Sequence, residues 1–312
     1  MRVAISFLFM GVFLSMSCAH IGRVENIGQQ LQIIGHRGAS HDAPENTLAA
    51  FALAADQHAD WFELDCLLTR DGVVVVSHDS DTKRVGDREL SISGSTMAEL
   101  RQVDVGSHKG PQFAGERLPT LAEAFELAQK RKIGVYIEIK RTATDHDLEK
   151  TILAKYRDLP GAADTVVRHG ILGMIDAAQT TNTLLTAKTI ELVRKYKLEG
   201  NIVIQSFSPI ICAKAQQLAP ELRVELLVGD NQEKPYIWNN FMVWQRLLNV
   251  AGTNISLTSV TPERVKDLHA AGRTIAVWTV DEPADARRIA ALGVDGIITN
   301  RPAFIREALA QK

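Results

Sequence analysis

What most constrains this chain is a repeated alternation of short apolar strands with helical stretches, running from about residue 31 to the carboxyl end. Eight strand-like runs qualify as parallel, ending near His36, Asp65, Glu138, Gln205, Val228, Leu257, Thr279 and Thr299. Eight strands separated by helices over roughly 280 residues predict a TIM (β/α)8 barrel. A doubly wound open sheet uses the same alternation, because strand order is invisible in sequence. No Gly-x-Gly-x-x-Gly follows the first strand, which weighs against a dinucleotide site in such a sheet.

One run departs from the alternation. Val73–Val76 follows Trp61–Leu67 across Arg70-Asp71-Gly72, and Asp-Gly between strand-like runs is a hairpin signal. The second strand is therefore expected to be extended by an antiparallel partner that is not a barrel member. If Asp71-Gly72 is a two-residue turn, residues whose numbers sum to 143 lie opposite each other, which pairs His78 with Asp65. Residues 80–118 then lose strand and helix periodicity and read as a small insertion after the hairpin. Residues 159–183 read as a less regular stretch.

The amino terminus is of another kind. Arg2 precedes an apolar run from Val3 to Met16, with small residues at Ser15, Ser17 and Ala19. That is the layout of a secretory signal peptide, and the run is too short to span a bilayer comfortably. Cys18 after Leu14-Ser15-Met16-Ser17 resembles a bacterial lipoprotein box, with leucine four residues ahead of the cysteine instead of three. The expected organisation is a signal peptide over 1–18, a linker over 19–30 and a barrel over 31–312. The protein is expected across the inner membrane, either periplasmic or anchored to the membrane through a lipidated Cys18. A net charge of -2 and the lack of a Lys/Arg run give no support for a nucleic-acid partner. No Cys-x-x-Cys or Cys/His cluster points to structural zinc.

In a barrel, chemistry gathers where strands end. Glu63 and Asp65 are two apart on one strand and so face the same side, and Glu138 and Lys140 repeat that spacing on another. Three converging carboxylates without a guaranteed basic partner repel one another, and a hard divalent cation such as Ca2+ or Mg2+ relieves this. The bland alternative, solvated or salt-bridged acids, suits one such pair better than two at the same end. His36 and Arg37 stand at the end of the first strand between Gly35 and Gly38. A guanidinium suits phosphate. Two histidines beside a metal and an arginine fit general acid–base cleavage of a phosphodiester. Glu45 reads equally well as an acid in the first turn of a helix or as part of the site.

These residues fall into an ordered set of motifs: His36-Arg37-Gly38, Pro44-Glu45-Asn46-Thr47, Glu63-Leu64-Asp65, His78-Asp79, Glu138-Ile139-Lys140, Gln205-Ser206-Phe207, Val277-Trp278-Thr279 and Asp295 to Pro302. Together they resemble the glycerophosphodiester phosphodiesterase family over nearly all of residues 31–305. The resemblance implies a divalent metal on Glu63, Asp65 and Glu138, His36 and His78 as the acid–base pair, Arg37 and Lys140 on phosphate, and Trp278 along the glycerol. It implies a small-molecule glycerophosphodiester as substrate, attack of the glycerol 2-hydroxyl on phosphorus, and water opening the resulting cyclic phosphate. The products would be sn-glycerol 3-phosphate and an alcohol. Two other functions compete. One is phospholipase D-like cleavage of lyso- or sphingolipids on the same barrel, which calls for an exposed apolar entrance; Ile237–Trp244 could supply one, although its spacings fit a core helix better. The other is a phosphodiester-binding protein without turnover.

Overall fold

The computed structural model describes residues 23–141, 143–159, 161, 164–229 and 234–311. The expected signal peptide, Cys18 and the start of the linker lie outside the described residues. In chain order the elements are β1 (Gln32–Gly35), α1 (Leu48–Asp56), β2 (Trp61–Leu68), β3 (Val74–Val76), α2 (Met97–Leu100), α3 (Leu121–Arg131), β4 (Gly134–Ile139), α4 (Ala143–Tyr156), α5 (Thr165–Ala178) and α6 (Thr181–Tyr196). Then come β5 (Ile202–Ser206), α7 (Pro209–Leu218), β6 (Arg223–Val228), α8 (Pro235–Leu248), β7 (Gly252–Ser256), α9 (Pro262–Ala270), β8 (Thr274–Trp278), α10 (Pro283–Ala291), β9 (Gly296–Thr299) and α11 (Pro302–Ala310).

All strands but β3 form one closed parallel barrel. The sheet order is β1-β9-β8-β7-β6-β5-β4-β2-β3, and β1 also pairs with β2, which closes the ring. The fold is the expected TIM barrel. Several of its helices start where the sequence places a proline at the first helical position, as in α7 to α11.

Strand periodicity sorts the side chains into two shells. Outward residues such as Phe62, Leu64, Ile137, Ile204 and Val277 join the helices in the main core. Inward residues Ile34, Trp61, Tyr136, Val203, Ala276 and Ile298 fill the barrel's amino-terminal half as a separate cluster. Gly134 makes room for that cluster, since a Cβ there would run into the Trp61 ring. Below it, part of the expected linker packs onto the barrel. Val24 and Ile27 pack against the inward cluster, and the Arg23 guanidinium donates to the Lys132 carbonyl oxygen.

The hairpin forms, but in another register. Cys66 pairs with Val76, Leu67 with Val75 and Leu68 with Val74, so paired numbers sum to 142. The loop is Arg70-Asp71-Gly72, closed by a Thr69 N–H to Val73 O bond of 3.0 Å. Gly72 takes φ +76°, the left-handed position of a three-residue hairpin loop. Ser77, not His78, therefore faces Asp65, with its N–H donating to the Asp65 carbonyl at 2.9 Å.

The insertion has a core of its own, in which Val75, Ile92, Met97, Leu100, Val103 and Leu118 are buried together. The stretch read as irregular holds α5. Val167, Ile171 and Ile175, four apart, bury one face of that helix.

Candidate active site

The carboxyl ends of the strands bring the predicted residues together. A cavity of about 200 Å3 is lined by His36, Arg37, Glu63, His78, Glu138, Lys140 and Trp278, along with Gln205, Phe207, Leu227 and Ile298. Asp65, the remaining predicted site residue, lies buried beneath the cavity at 1% exposure.

Glu63, Asp65 and Glu138 each present a carboxylate oxygen, and those oxygens lie within 4.8 Å of one another. Strand pairing sets this up, since β2 and β4 run in register with Asp65 opposite Glu138. Two cations meet the three acids. Lys140 Nζ is 2.7 Å from Glu138 and 3.3 Å from Asp65, and Arg37 Nε is 3.4 Å from Asp65. The sharing is unequal. Burial pushes Asp65 up, but Lys140 and Arg37 hold it down at about 2. Burial and the neighbouring Asp65 charge push Glu138 up to about 7, and burial with Asp65 and Glu138 drives Glu63 well above the carboxylate range. A buried all-oxygen donor set that cannot ionise fully without more positive charge suits a hard divalent cation.

Backbone and neutral side chains aim this cluster. Arg37 sits at φ +54° and points its N–H at Glu63 Oε2, 2.8 Å away. Asn46, also left-handed at φ +58°, donates from Nδ2 to Asp65 Oδ2 at 2.8 Å. Asn254 Nδ2 donates to Gln205 Oε1 at 2.6 Å, and Gln205 Nε2 reaches Glu63 Oε1 at 3.4 Å. Trp278 is held over the cavity by its indole N–H on the Asn254 carbonyl and an edge-to-face contact with Phe207.

The two histidines are fixed differently. Asn300 Nδ2 donates to Asp281 Oδ2, an atom that can only accept from it, so Asn300 Oδ1 faces His36 Nδ1 at 2.7 Å. His36 therefore carries its proton on Nδ1. Burial and the adjacent Arg37 lower its pKa to about 4, leaving a neutral ring whose Nε2 has no hydrogen-bond partner among the described residues. His78 reaches the cavity because β3 ends at Val76 and the chain turns away from the ladder, not through pairing with Asp65. Its Nδ1 bonds Asp79 Oδ1 at 2.7 Å.

Sequence reasoning missed the ion-pair chain that ties these parts together. Arg84, in the insertion, donates to both oxygens of Glu45 and to Asp79 Oδ2, each at 2.7 Å, and Arg37 bonds Glu45 at 2.8 Å. Burial raises the Glu45 carboxyl, but the two guanidiniums, Arg84 foremost, hold it at about 2. Glu45 is no helix first-turn acid: α1 begins at Leu48 with Thr47 as its cap. The Pro-Glu-Asn-Thr motif signalled Glu45, whereas nothing local marked Arg84 as its partner.

Residues 36–304 match the glycerophosphoryl diester phosphodiesterase family. A glycerophosphodiester phosphodiesterase of Caldanaerobacter subterraneus subsp. tengcongensis is 32% identical over 272 residues, covering 86% of this chain and 94% of the relative. The fold is similar to that of an Oleispira antarctica phosphodiesterase solved with the product sn-glycerol-3-phosphate, at TM-score 0.71 and 27% identity, covering 91% of this chain and 98% of the other. A glycerophosphodiester phosphodiesterase of Agrobacterium tumefaciens gives TM-score 0.66 and 26% identity, covering 89% and 100%. The chain belongs to the glycerophosphoryl diester phosphodiesterase family and is an enzyme of that family, a hydrolase of glycerophosphodiesters.

Proposed function

We propose that the enzyme splits a glycerophosphodiester into sn-glycerol 3-phosphate and an alcohol by acid–base catalysis, with His36 as the first base and His78 as the first acid. The observation that carries this reading is the pair of differently fixed imidazoles flanking a buried three-carboxylate cluster in one cavity. His36, neutral with Nε2 open, takes the proton of the glycerol 2-hydroxyl as that oxygen bonds to phosphorus. His78, whose Nδ1–H is gripped by the Asp79 carboxylate, gives a proton from Nε2 to the departing alcohol oxygen. The products of this step are the free alcohol and a cyclic glycerophosphate. Water then opens the ring with the roles exchanged: His78 takes a proton from the water and His36 returns one to the 2-oxygen. Arg37 and Lys140 bear on the phosphate oxygens, and Trp278 lines the glycerol.

Glu63, Asp65 and Glu138 would hold one divalent cation, Mg2+ or Ca2+, which when bound supplies positive charge beside the phosphate oxygens. The test is turnover of glycerophosphocholine in chelator and after adding back each cation, with products resolved by phosphorus NMR. A transient cyclic phosphate and sn-glycerol 3-phosphate are expected. Release of phosphocholine instead would overturn the assigned bond cleavage.

Residues 1–18 are proposed to direct export, with Cys18 the candidate for acylation. Mass spectrometry of the mature amino terminus from cell fractions checks this, and an unprocessed Met1 terminus in the cytosol would refute it.

A further inference from the structure

A larger cavity adjoins the catalytic one. A chamber of about 540 Å3 shares Glu138, Lys140, Phe207 and Leu227 with the 200 Å3 cavity and extends between α4 and α8. Its volume is that of a pocket for a drug-sized ligand. Its inner wall is apolar and buried, built by Leu153, Leu226, Phe241 and Trp244. Ile237, Phe241 and Trp244 come from one face of α8, at the i, i+4, i+7 spacing of a stripe turned toward the chamber.

The charges around the chamber argue about its occupant. Arg141, His146 and Lys150 line it from exposed positions, and Lys140 stands where it meets the catalytic cavity. A cationic head group would meet these basic residues on its way in. Two carboxylates line it: Glu138, where the two cavities meet, is held by Lys140 at 2.7 Å, and Glu149 has Arg141 3.7 Å away while burial pushes its pKa up to about 7, so neither is left unmatched for a cation. A neutral apolar group suffers no such penalty and gains the whole buried wall.

We propose that this chamber is a substrate subsite for a large apolar group carried by the glycerophosphodiester, either an acyl chain on the glycerol or an apolar alcohol on the phosphate. This rests on the catalytic reading above and extends it to the substrate class.

Two series of esters, kept below their micelle concentrations, separate the sources. One has glycerophosphocholine and its butanoyl, hexanoyl and octanoyl monoesters; the other has glycerol 3-phosphate esters of butanol, hexanol and octanol. With Mg2+ or Ca2+ present, kcat/KM should rise at least about fivefold for each pair of methylenes in one series. Ile237→Trp, which fills the chamber from α8, should flatten that rise and leave glycerophosphocholine turnover unchanged, which also reports that the variant is folded. Leu153→Trp fills it from α4 should the first variant not fold. Binding is measured apart from turnover, by calorimetry of both series on His78→Ala protein with the same cation. Rates and Kd values that are flat with chain length in both series, or a preference for choline over butanol with no gain from added methylenes, would overturn the proposal. If no ester is turned over, glycerophosphocholine included, the catalytic reading fails while the Kd series still decides the chamber.

Discussion

The two ends of this barrel both bury charge, and they balance it differently. At the amino-terminal end Glu225, 1% exposed, pairs with Arg223 at 2.7 Å, and Arg223 also bonds Thr274. One acid meets one base, above a plug of Val24 and Ile27. At the carboxyl end three buried carboxylates meet two cations, and Arg37 is shared with Glu45. The first arrangement is complete within the protein and serves stability. The second is short of positive charge and open to a cavity, so it stores a demand that a cation and an anionic substrate can meet.

Removing the cation should have the largest effect. Chelation, or Glu63→Ala, should lower kcat/KM by on the order of 10^3-fold or more, and full activity in chelator would erase the contrast between the two ends. His36→Ala and His78→Ala should each cost about 10^2- to 10^4-fold while calorimetry shows metal binding largely retained. At the opposite end, Glu225→Gln should leave kcat/KM within about threefold, yet cost on the order of 3 kcal/mol in urea unfolding because Arg223 is left buried without its counter-charge. A catalytic defect in that variant with unchanged stability would invert the assignment of roles.

Smaller effects test the supports of the site. Asn300→Ala frees His36, and Arg84→Met releases both Glu45 and Asp79. Each should lower kcat about 10- to 100-fold with metal affinity unchanged, and Arg84→Lys should recover only part, since an ammonium lacks the guanidinium's fork. Wild-type kcat in Arg84→Met would show the ion-pair chain to be idle.

The smallest effect is in stability against pH. Burial and Asp65 raise Glu138 from 4.5 to about 7, so the folded, metal-free protein binds that proton more tightly than the unfolded chain. Its contribution to stability is therefore present below pH 4.5 and lost as pH rises through about 7. Added metal should raise Tm more at the upper end of that window, where the carboxylates no longer have to release protons to bind it. A metal-induced Tm gain that shrinks with rising pH would contradict a proton-competitive carboxylate site.

The sequence by itself determined the barrel and most of the contents of its mouth. The strand–helix alternation specified eight parallel strands, and two-residue periodicity put Glu63 with Asp65 and Glu138 with Lys140, because both are local, repeated patterns. Where a single local choice decides the outcome, sequence reading failed. The hairpin register turned on whether Gly72 ends a two- or a three-residue loop, one backbone dihedral that moved every pair by one. Residues 165–178 looked irregular because Val166, Val167, Gly170 and Gly173 are poor helix formers, yet burial of Val167, Ile171 and Ile175 outweighs that propensity.

Only the tertiary structure decided which distant residues complete the site. His36 with Asn300, Arg84 with Glu45 and Asp65 with Lys140 are 264, 39 and 75 residues apart. Their meeting depends on ring closure and on how the insertion folds back over α1's entry, and no short-range pattern encodes either. The apolar stripe of α8 was visible as Ile237, Phe241 and Trp244, but only packing shows that it lines a chamber next to the cavity that holds His36, His78 and the carboxylate cluster.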